Sequence, residues 1–563
     1  MRSFFYVIII PVYGFILNLL IRFYRIWKIK RLYGDGSEGY VFNLKKEDIK
    51  EINKQNHPIL GSYDAELAVK TKTGIYVGEK YKNTISYLGI PYAQPPVGNL
   101  RWKAQNPLPP SDDVYEAKHL GASAIQVELK GAILKNHRQS EDCLYLNICV
   151  GIEKEEKTKK NNKKPVMVLF HNGDFTYGGS ADPLLYGANF VENNPDIVFV
   201  SFNYRLGIFG FIDFSEVEGG EAYPDAPNLG LLDQIAALQW IRENIAAFNG
   251  DPEKITTLGF ESGATSISLL AASGAAKGLF QKAFIFNGNP MTVHDTSIGS
   301  RNLAKDLLKE TECRTMEELL QLDTETLKGV AQELWKDMCT PTVDGNLIPA
   351  DVYHAYEEGA ASEIEFIIGI PSRESRIIRD FLSEEEYEIL TVNVMADISG
   401  SLDESLATKV QEYVRTQAAI SSELDARSKV IDQWIALCIY RCAWKLSEGG
   451  NKVRVMYWDE KSLIENLGSG TVDVAAMLLG NGEALQLYGS VLDKDLSVTL
   501  QEFLHKFVKG DALQLYRNEI KGIGDIDWEP FHKALIVSNK KFSCDTIEDR
   551  LKEIEGLFDF AVS

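Results

Sequence analysis

The order of predicted strands and helices between residues 165 and 260 constrains the fold most strongly. Two short, mainly apolar runs, PVMVLFHN at 165–172 and DIVFVSFNY at 196–204, predict buried strands. Apolar residues then recur at helical spacing over 229–248, and KITTLGF at 254–260 predicts a further buried strand. Strands joined through a helix pair in parallel, and the connecting helix covers the sheet. The sequence therefore predicts an α/β fold with a large, mostly parallel central sheet flanked by helices.

The charge balance of the 563-residue chain argues against nucleic acid as a partner. Its formal net charge is −21, whereas a nucleic-acid-binding surface needs clustered Lys and Arg to displace counterions from phosphates. No metal ion or cofactor is predicted either. Cys438 and Cys442 lie one helical turn apart, but no further Cys or His is near them in sequence, so we expect them to pack in the core.

The N-terminal segment predicts a membrane anchor. The stretch FFYVIIIPVYGFILNLLI at 4–21 approaches the length of about 20 apolar residues that spans a bilayer as a helix. The basic block RFYRIWKIKR follows at 22–31, and no small-residue cleavage pattern is present, which favours an anchor over the alternative of a signal peptide. We accordingly divide the chain into an anchor with its basic flank at 1–34, a linker at 35–63 and one large domain at 64–563.

Three sequence features favour a large domain that faces the cytosol, at the endoplasmic reticulum or a similar membrane. More Lys and Arg follow the apolar segment than precede it, which places the downstream side in the cytosol. The seven cysteines are an odd number spread thinly along the chain, and no Asn-x-Ser/Thr glycosylation acceptor occurs. Secreted domains of this size commonly carry disulfides and several acceptors. A secreted or extracellular location is the alternative.

Five longer motifs follow one another along the chain from about residue 64. They are LGIPYAQPPVGNLRW at 88–102, SEDCLYLNI at 140–148, NYRLGIFGF at 203–211, NLGLLDQIAALQWIRENIAAFNGDPEKIT at 228–256 and TPTVDGNLIP at 340–349. Over essentially this whole stretch they resemble the motifs of the type-B carboxylesterase and cholinesterase family of α/β-hydrolases. The resemblance implies the α/β-hydrolase fold, whose hydrolytic members use a serine, an Asp or Glu and a histidine, in that order along the chain.

The resemblance assigns the nucleophile position to Ser262. In the family this serine tops a sharp strand-to-helix turn of the form G-E-S-A-G. The aligned residues here are Phe260, Glu261, Ser262, Gly263 and Ala264, so a large ring replaces the first glycine. A register shift of one residue restores a glycine at 259 but gives G-x-x-S-G, in which the serine is off-centre. We therefore expect a distorted turn in which Ser262 is a remnant nucleophile.

The family's oxyanion-hole motif, H-G-G-G-F, appears here as HNGDF at 171–175. Main-chain N–H groups of Gly173 and Gly263 are the candidate donors to a developing oxyanion. Asp174 replaces a glycine, and its carboxylate would repel that negative charge. In the alternative interpretation, Asp174 caps a turn with its side chain facing away.

The sequence matches the family at the position of the acid but not at the position of the histidine base. FIIGIPSRESRIIRDFL at 366–382 resembles the family segment that carries the acid, which assigns that role to Glu374. The family's histidine segment aligns with GSGTVD at 468–473, so Thr471 stands where the base is expected. A threonine hydroxyl does not accept a proton near neutral pH. His505 and His532 are the histidines downstream of Glu374 that could replace it.

The resemblance thus implies a membrane-anchored, carboxylesterase-like protein without ester hydrolase activity. It would bind a small ester-like or lipid ligand, or a protein partner, and use no cofactor. One alternative is an active carboxylic ester hydrolase with an unaligned base, so the sequence leaves open whether the chain is an enzyme. The other is a cholinesterase-like adhesion molecule, since the family includes catalytically silent adhesion proteins. Against adhesion, the family's cysteine partner of Cys143 is Ala124 here, and Cys313 lacks its partner too.

Overall fold

The structure is a computed structural model that describes most of the large domain. It covers residues 50, 52–128, 137–153, 163–290, 297–334, 339–374, 384–400, 404–460, 470–482, 493–511, 513, 533–538 and 541–546. The segment predicted as an anchor lies outside these residues. Among the helices that the structure describes, none has both the length and the apolar character needed to cross a membrane. The anchor, linker and domain boundaries stay predictions.

An eleven-stranded mixed sheet forms the centre of the described domain, in the order β14-β13-β12-β11-β10-β9-β7-β8-β6-β4-β3. A separate three-stranded sheet has the order β1-β2-β5. The strands are β1 (Ala68–Lys70), β2 (Ile75–Val77), β3 (Glu79–Tyr81), β4 (Thr84–Pro91), β5 (Val114–Glu116), β6 (Tyr145–Gly151), β7 (Lys164–Phe170), β8 (Val198–Phe202), β9 (Gly250–Phe260), β10 (Lys282–Phe286), β11 (Glu365–Pro371), β12 (Val453–Trp458), β13 (Lys533–Ser538) and β14 (Lys541–Thr546).

The strands from β8 to β13 in the sheet order are parallel to one another. Antiparallel strands extend the sheet at its edges, with β6, β4 and β3 on one side and β14 on the other. The three strands predicted from apolar runs are β7, β8 and β9, which lie side by side in this parallel centre. The predicted α/β fold with a large, mostly parallel sheet is confirmed.

Helices cover both faces of the sheet. The described helices are α1 (Ala188–Asn193), α2 (Leu229–Asn244), α3 (Ser262–Ala272), α4 (Ser297–Glu310), α5 (Met316–Gln321), α6 (Thr324–Glu333), α7 (Val352–Glu357), α8 (Glu384–Gly400), α9 (Glu404–Ala418), α10 (Glu423–Glu448), α11 (Thr471–Leu479) and α12 (Lys494–Lys509). The predicted helix over 229–248 is α2 followed by a short 3-10 helix, Ile245–Phe248. Cys438 and Cys442 are both buried on α10, in agreement with the expected core packing.

Alternate side chains of β7 enter two hydrophobic cores. Val166, Val168 and Phe170 join the core shared with α2, α3 and α10. Met167 and Leu169 join the core shared with α1, α11 and α12. Side chains of a strand point alternately to the two faces of a sheet, so a strand covered on both faces reads as a continuous apolar run. This is why the parallel strands were visible in the sequence.

Two buried ion pairs connect the family-like motifs to one another. Arg205 donates from Nε and Nη2 to the carboxylate of Asp233 on α2, at 2.8 and 2.7 Å. Arg101 makes the same two-point contact with Glu141, with both distances 2.7 Å. All four side chains are buried. Bidentate geometry satisfies the charges of both partners, so these pairs fix the loops that surround the carboxyl ends of the parallel strands.

Candidate active site

Every sequence-predicted site residue follows the carboxyl end of a parallel strand or begins a helix beside it. The HNGDF loop, residues 171–175, follows β7, and the turn that contains Ser262 joins β9 to α3. Glu374 follows β11, and Thr471 is the first residue of α11. In open α/β sheets this edge is where ligands bind.

Glu261 occupies the apex of the turn between β9 and α3. Its backbone has φ 47° and ψ −119°, a conformation that non-glycine residues rarely adopt. Its N–H donates to the carbonyl of Phe286 at 3.0 Å, and its own carbonyl accepts from Thr265 N–H at 2.8 Å. Holding a non-glycine residue there costs about 1–3 kcal/mol, which the surrounding hydrogen bonds and packing offset.

Glycines two positions before and after Glu261 allow the strand and the helix to approach each other. A Cβ on Gly259 would lie 2.7 Å from the main-chain nitrogen of Ala264. A Cβ on Gly263 would lie 2.3 Å from the carbonyl oxygen of Phe170. Both contacts are with main-chain atoms that cannot move aside. The turn is therefore Gly-x-Glu-x-Gly, with Glu261 at its centre.

Ser262 lies one residue beyond the apex. It is only 4% exposed, and its Oγ has no hydrogen-bond partner among the described residues. Phe260, which the sequence alignment placed at the first glycine position, is fully buried at the end of β9. The alignment that centred the turn on Ser262 is thus displaced by one residue from the structure. The signal for the observed register was the pair Gly259 and Gly263, which brackets Glu261.

The HNGDF loop lies against the same turn and carries three consecutive residues with positive φ. They are Gly173, Asp174 and Phe175, at φ 115°, 50° and 58°. A Cβ on Gly173 would lie 2.0 Å from the carbonyl oxygen of Tyr177, so this position requires glycine. Gly173 and Gly263 therefore belong to two segments held in place by close packing. With Glu261 at the apex, the residue that follows the nucleophile position is Ser262, so the prediction of Gly263 as a donor is displaced by one residue too.

Asp174 does not cap a turn with its side chain. Thr176 Oγ1 donates to the main-chain carbonyl of Asp174 at 2.9 Å. The Asp174 carboxylate accepts no hydrogen bond from the described residues, and the residue is exposed. On the same loop, Asn172 Nδ2 donates to Glu261 Oε2 at 3.2 Å. The HNGDF loop thus holds the apex side chain and presents a further carboxylate beside it.

Glu374 and Thr471 meet, as the family-like arrangement of acid and base positions predicts. Both the N–H and the hydroxyl of Thr471 donate to Glu374 Oε2, at 3.0 and 2.9 Å. Glu374 is 6% exposed and Thr471 1%. Burial raises the pKa of Glu374 to about 7, while the two Thr471 bonds act to lower it. Asn287 Nδ2 donates to Thr471 Oγ1 at 3.0 Å and completes the buried contact.

The sequence profile of the family described as "Carboxylesterase family" matches residues 65–535. The chain belongs to the carboxylesterase family. Para-nitrobenzyl esterase of Bacillus subtilis is 37% identical over 311 residues, which cover 54% of this chain and 61% of the relative. Mouse cholinesterase is 32% identical over 335 residues, 54% of this chain and 53% of the relative. The matched part of the chain thus spans between half and two thirds of the length of these curated relatives.

Solved carboxylesterase-family structures share the fold along most of the chain. The Geobacillus stearothermophilus carboxylesterase EST55 superposes with a TM-score of 0.70 at 25% identity, covering 87% of this chain and all of that structure. A PNB esterase structure superposes with a TM-score of 0.73 at 26% identity, covering 86% of this chain and 99% of that structure. The α/β-hydrolase fold implied by the motifs is therefore confirmed.

In this member of the family, His505, the described histidine downstream of Glu374, offers no substitute for the base at Thr471. His505 lies on α12, where its Nε2 is 2.7 Å from Oδ1 of Asp196. Asp196 precedes β8, so this pair lies at the amino ends of the parallel strands, whereas the turn with Glu261 lies at their carboxyl ends. The idea that His505 replaces the base is therefore not supported by its position. His532 lies outside the described residues.

Carboxyl groups from distant parts of the chain converge on this carboxylesterase-family site. Burial, followed by the charges of Glu374 and Asp174, raises the pKa of Glu261 well above its ordinary value, and the Asn172 bond opposes this only in part. Burial also raises the pKa of Asp182 to about 6. Glu261 and Asp182 are half-buried, so solvent still reaches part of each side chain. Asp182 had no motif that could have identified it.

Proposed function

We propose that this chain is a carboxylesterase-fold protein that binds a ligand or a protein partner and does not hydrolyse esters. The observation that carries the proposal is Glu261 at the apex of the turn, where the family's nucleophilic serine is expected. Glu261 supplies a carboxyl group in place of the serine hydroxyl, and burial raises its pKa, which lowers the fraction present as the nucleophilic carboxylate. The neighbouring Ser262 is buried one residue away from the apex.

The contact between Glu374 and Thr471 supports the same conclusion. In the hydrolytic mechanism a histidine takes the nucleophile's proton and the acid orients that histidine. Here the acid accepts its hydrogen bonds directly from Thr471, whose hydroxyl has no basic lone pair at neutral pH. Loss of the histidine in subtilisin lowers turnover roughly a millionfold, so we expect this change alone to reduce ester hydrolysis by a similar factor.

Asp174 adds an electrostatic obstacle at the oxyanion position. Backbone N–H groups stabilise the negative charge that develops on a carbonyl oxygen, and removing one such donor costs about 3–4 kcal/mol. A carboxyl group on the loop that should supply the donors instead adds negative charge when it ionises. The changes at Asp174, Glu261 and Thr471 all oppose ester hydrolysis by independent physical means.

We infer from the sequence that residues 4–21 anchor this binding domain to a membrane with its bulk in the cytosol. The free thiols of Cys143 and Cys313 support this location over an extracellular adhesion role, because the disulfides that the family resemblance would provide are missing. We expect the full chain to resist extraction from membranes by carbonate. We also expect protease added outside sealed microsomes to digest the large domain. Protection of the domain would refute the cytosolic placement.

The decisive test of the proposed function is labelling of the full chain with a fluorophosphonate, together with hydrolysis of p-nitrophenyl acetate. We expect no labelling and no turnover above buffer. Ser262→Ala is compared with Ser421→Ala, a substitution of an exposed serine. Turnover that Ser262→Ala abolishes and Ser421→Ala leaves unchanged would show that the chain is an active hydrolase with an unaligned base.

A further inference from the structure

Four charged side chains lie together at the amino ends of three neighbouring strands, at the opposite edge of the sheet from the candidate active site. Lys282 begins β10, Glu365 begins β11, Lys452 directly precedes β12, and Arg454 is the second residue of β12. The parallel register places Lys282 beside Glu365 and Arg454 beside Ile367. On each strand, the residue two positions further along enters the core shared with α12. Residues two apart share a face of a sheet, so these charged side chains project from one face.

One carboxylate oxygen serves both cations of the third strand. Arg454 Nη1 and Lys452 Nζ lie 2.5 and 2.7 Å from the same atom, Oε1 of Glu365. Lys282 Nζ donates to the main-chain carbonyl of Phe507 on α12, at 2.6 Å. An ammonium group has three N–H donors, so two of those on Lys282 are left for other acceptors.

The cations on this face outnumber the acids. Burial lowers the pKa of Lys282, and the charges of Lys452 and Arg454 lower it further. The charges of Glu365 and of Asp511, which follows α12, act in the opposite direction. Three cations therefore lie near two acids, one of which is beyond the end of the helix.

The guanidinium group of Arg454 has one edge without a hydrogen-bond acceptor. Arg454 is only 8% exposed, yet its Nε has no partner among the described residues. The contact with Glu365 uses Nη1, and the described residues provide no acceptor for Nη2 either. Nε and Nη2 form one edge of the planar group, and their two N–H bonds fit two oxygens of the same oxyanion.

Two other buried arginines of the chain demonstrate what this edge binds. Arg101 and Arg205 each use Nε and Nη2 to hold both oxygens of a carboxylate, at 2.7–2.8 Å. A buried donor without an acceptor is destabilising, because it has lost its hydrogen bonds to water without replacement. The same edge of Arg454 therefore matches an oxyanion that the described residues do not supply.

A phosphate group complements these side chains better than a carboxylate does. Two phosphate oxygens fit the edge of Arg454 and others remain for the ammonium groups of Lys452 and Lys282, whereas a carboxylate has only two oxygens. A phosphate monoester carries a charge of about −1.5 to −2 near pH 7, which offsets the excess of cations. The Lys452 side chain is 53% exposed, so a ligand in solution can reach its ammonium group.

We propose that the amino ends of β10, β11 and β12 bind a phosphate group. The Nε–Nη2 edge of Arg454 is the bidentate donor, and Lys452 and Lys282 are its ammonium partners. This phosphate site is separate from the candidate active site at the carboxyl ends of the strands. The inference therefore goes beyond the proposed function and does not depend on it.

The experiment is isothermal titration of the full chain at pH 7, in MOPS buffer at constant ionic strength, with sodium phosphate, sodium acetate and glycerol 3-phosphate. We expect saturable binding of phosphate and much weaker binding of acetate, a monovalent carboxylate. Glycerol 3-phosphate is the polar part of phosphatidic acid. If it binds more tightly than phosphate, a lipid headgroup is the indicated source; equal or weaker binding indicates free phosphate. Either result supports the site.

Variants locate the binding. Arg454→Lys keeps the charge but removes the planar edge, and we expect it to weaken phosphate binding about tenfold or more. Lys452→Gln removes the exposed ammonium group and should act in the same direction. Lys82→Gln is the matched control, because Lys82 is 55% exposed, pairs with Glu192, and follows β3 at the far edge of the sheet. It should leave phosphate binding unchanged.

Three results would overturn the inference. They are no saturable binding of phosphate, binding of acetate as tight as that of phosphate, or phosphate binding that neither Arg454→Lys nor Lys452→Gln weakens relative to Lys82→Gln. Thermal unfolding checks that each variant is folded. If Arg454→Lys does not fold, the comparison of Lys452→Gln with Lys82→Gln decides alone.

Discussion

A single oxygen of Glu374, Oε2, accepts hydrogen bonds from both the main-chain N–H and the hydroxyl of Thr471. The two residues come from segments almost a hundred positions apart in sequence, and both side chains are buried. In a hydrolytic member of the family this acid would orient a histidine. Here Thr471 takes the place of that histidine, so the pair holds the loop after β11 to the start of α11 and provides no imidazole base.

Replacing Thr471 by valine is expected to destabilise the fold by about 1–3 kcal/mol. The substitution keeps the shape of the side chain but removes the donor to Glu374 and the acceptor for Asn287. The midpoint of urea unfolding measures the loss. Thr416→Val removes an exposed hydroxyl that binds a main-chain carbonyl within α9, and it should change the midpoint little. Equal effects of the two substitutions would contradict the structural role of the Thr471 hydroxyl.

Stability should fall as pH rises from about 5 to 8. Burial raises the pKa of Glu374 in the folded chain to about 7 from an ordinary value of 4.5, so the folded state binds more protons than the unfolded state between these values. The free energy of unfolding then decreases through this window and levels off above about pH 7, with roughly 3 kcal/mol from this group. Glu261 and Asp182, whose pKa values are also raised, act in the same direction.

Glu374→Gln should flatten part of that pH dependence, because the glutamine has no proton to lose. Urea midpoints measured from pH 5.5 to 8 provide the comparison. The exposed substitution Glu358→Gln should retain the full decrease. If Glu374→Gln and the unsubstituted chain lost stability equally as pH rises, Glu374 would not be the group that titrates.

The double substitution Glu261→Ser with Thr471→His should introduce labelling by a fluorophosphonate. The serine would take the strained apex, and the histidine would stand beside Glu374, which already accepts hydrogen bonds from position 471. Adding Ser262→Ala to the double variant should leave labelling intact, since Ser262 is not at the apex. Labelling that disappears with Ser262→Ala would instead place the nucleophile at 262 and refute the register of the turn.

Gly263→Ala should destabilise the fold by about 2–4 kcal/mol, because its new Cβ would meet the carbonyl oxygen of Phe170 at 2.3 Å. The strand and the helix would have to separate at the turn. Gly274→Ala is the matched control, since a Cβ there has no heavy atom within 4 Å. Thermal unfolding of the two variants gives the comparison, and similar melting temperatures would show that the turn is not closely packed.

The parallel centre of the fold could be predicted from sequence because β7, β8 and β9 are largely buried on both faces and apolar residues recur at helical spacing along α2. The positions of Glu374 and Thr471 were likewise predictable from the order of the motifs. The register of the turn was not, because the dipeptide Glu261-Ser262 matches the Glu-Ser of the family's motif. The physical constraint lies instead in the glycine pair around Glu261, whose close contacts appear only in three dimensions.

The sequence could not have predicted that four carboxyl groups influence one another at the carboxyl ends of the parallel strands. Asp174, Asp182, Glu261 and Glu374 are separated by up to two hundred residues, and each one alone resembles a surface acid. Their mutual effect on pKa depends on strand ends that the sheet brings together. A sequence motif records neighbours along the chain, whereas this cluster is made by neighbours across the sheet.

The backbone conformation at Glu261 is imposed by its surroundings and not by its own side chain. The glycines at 259 and 263, together with the hydrogen bonds to Phe286 and Thr265, would hold any side chain at position 261 in the same orientation. Position 261 should therefore accept other side chains without a change in the backbone conformation of the turn. A cysteine placed there would carry a fluorescent or spin label at one defined point beside the carboxyl ends of the parallel strands.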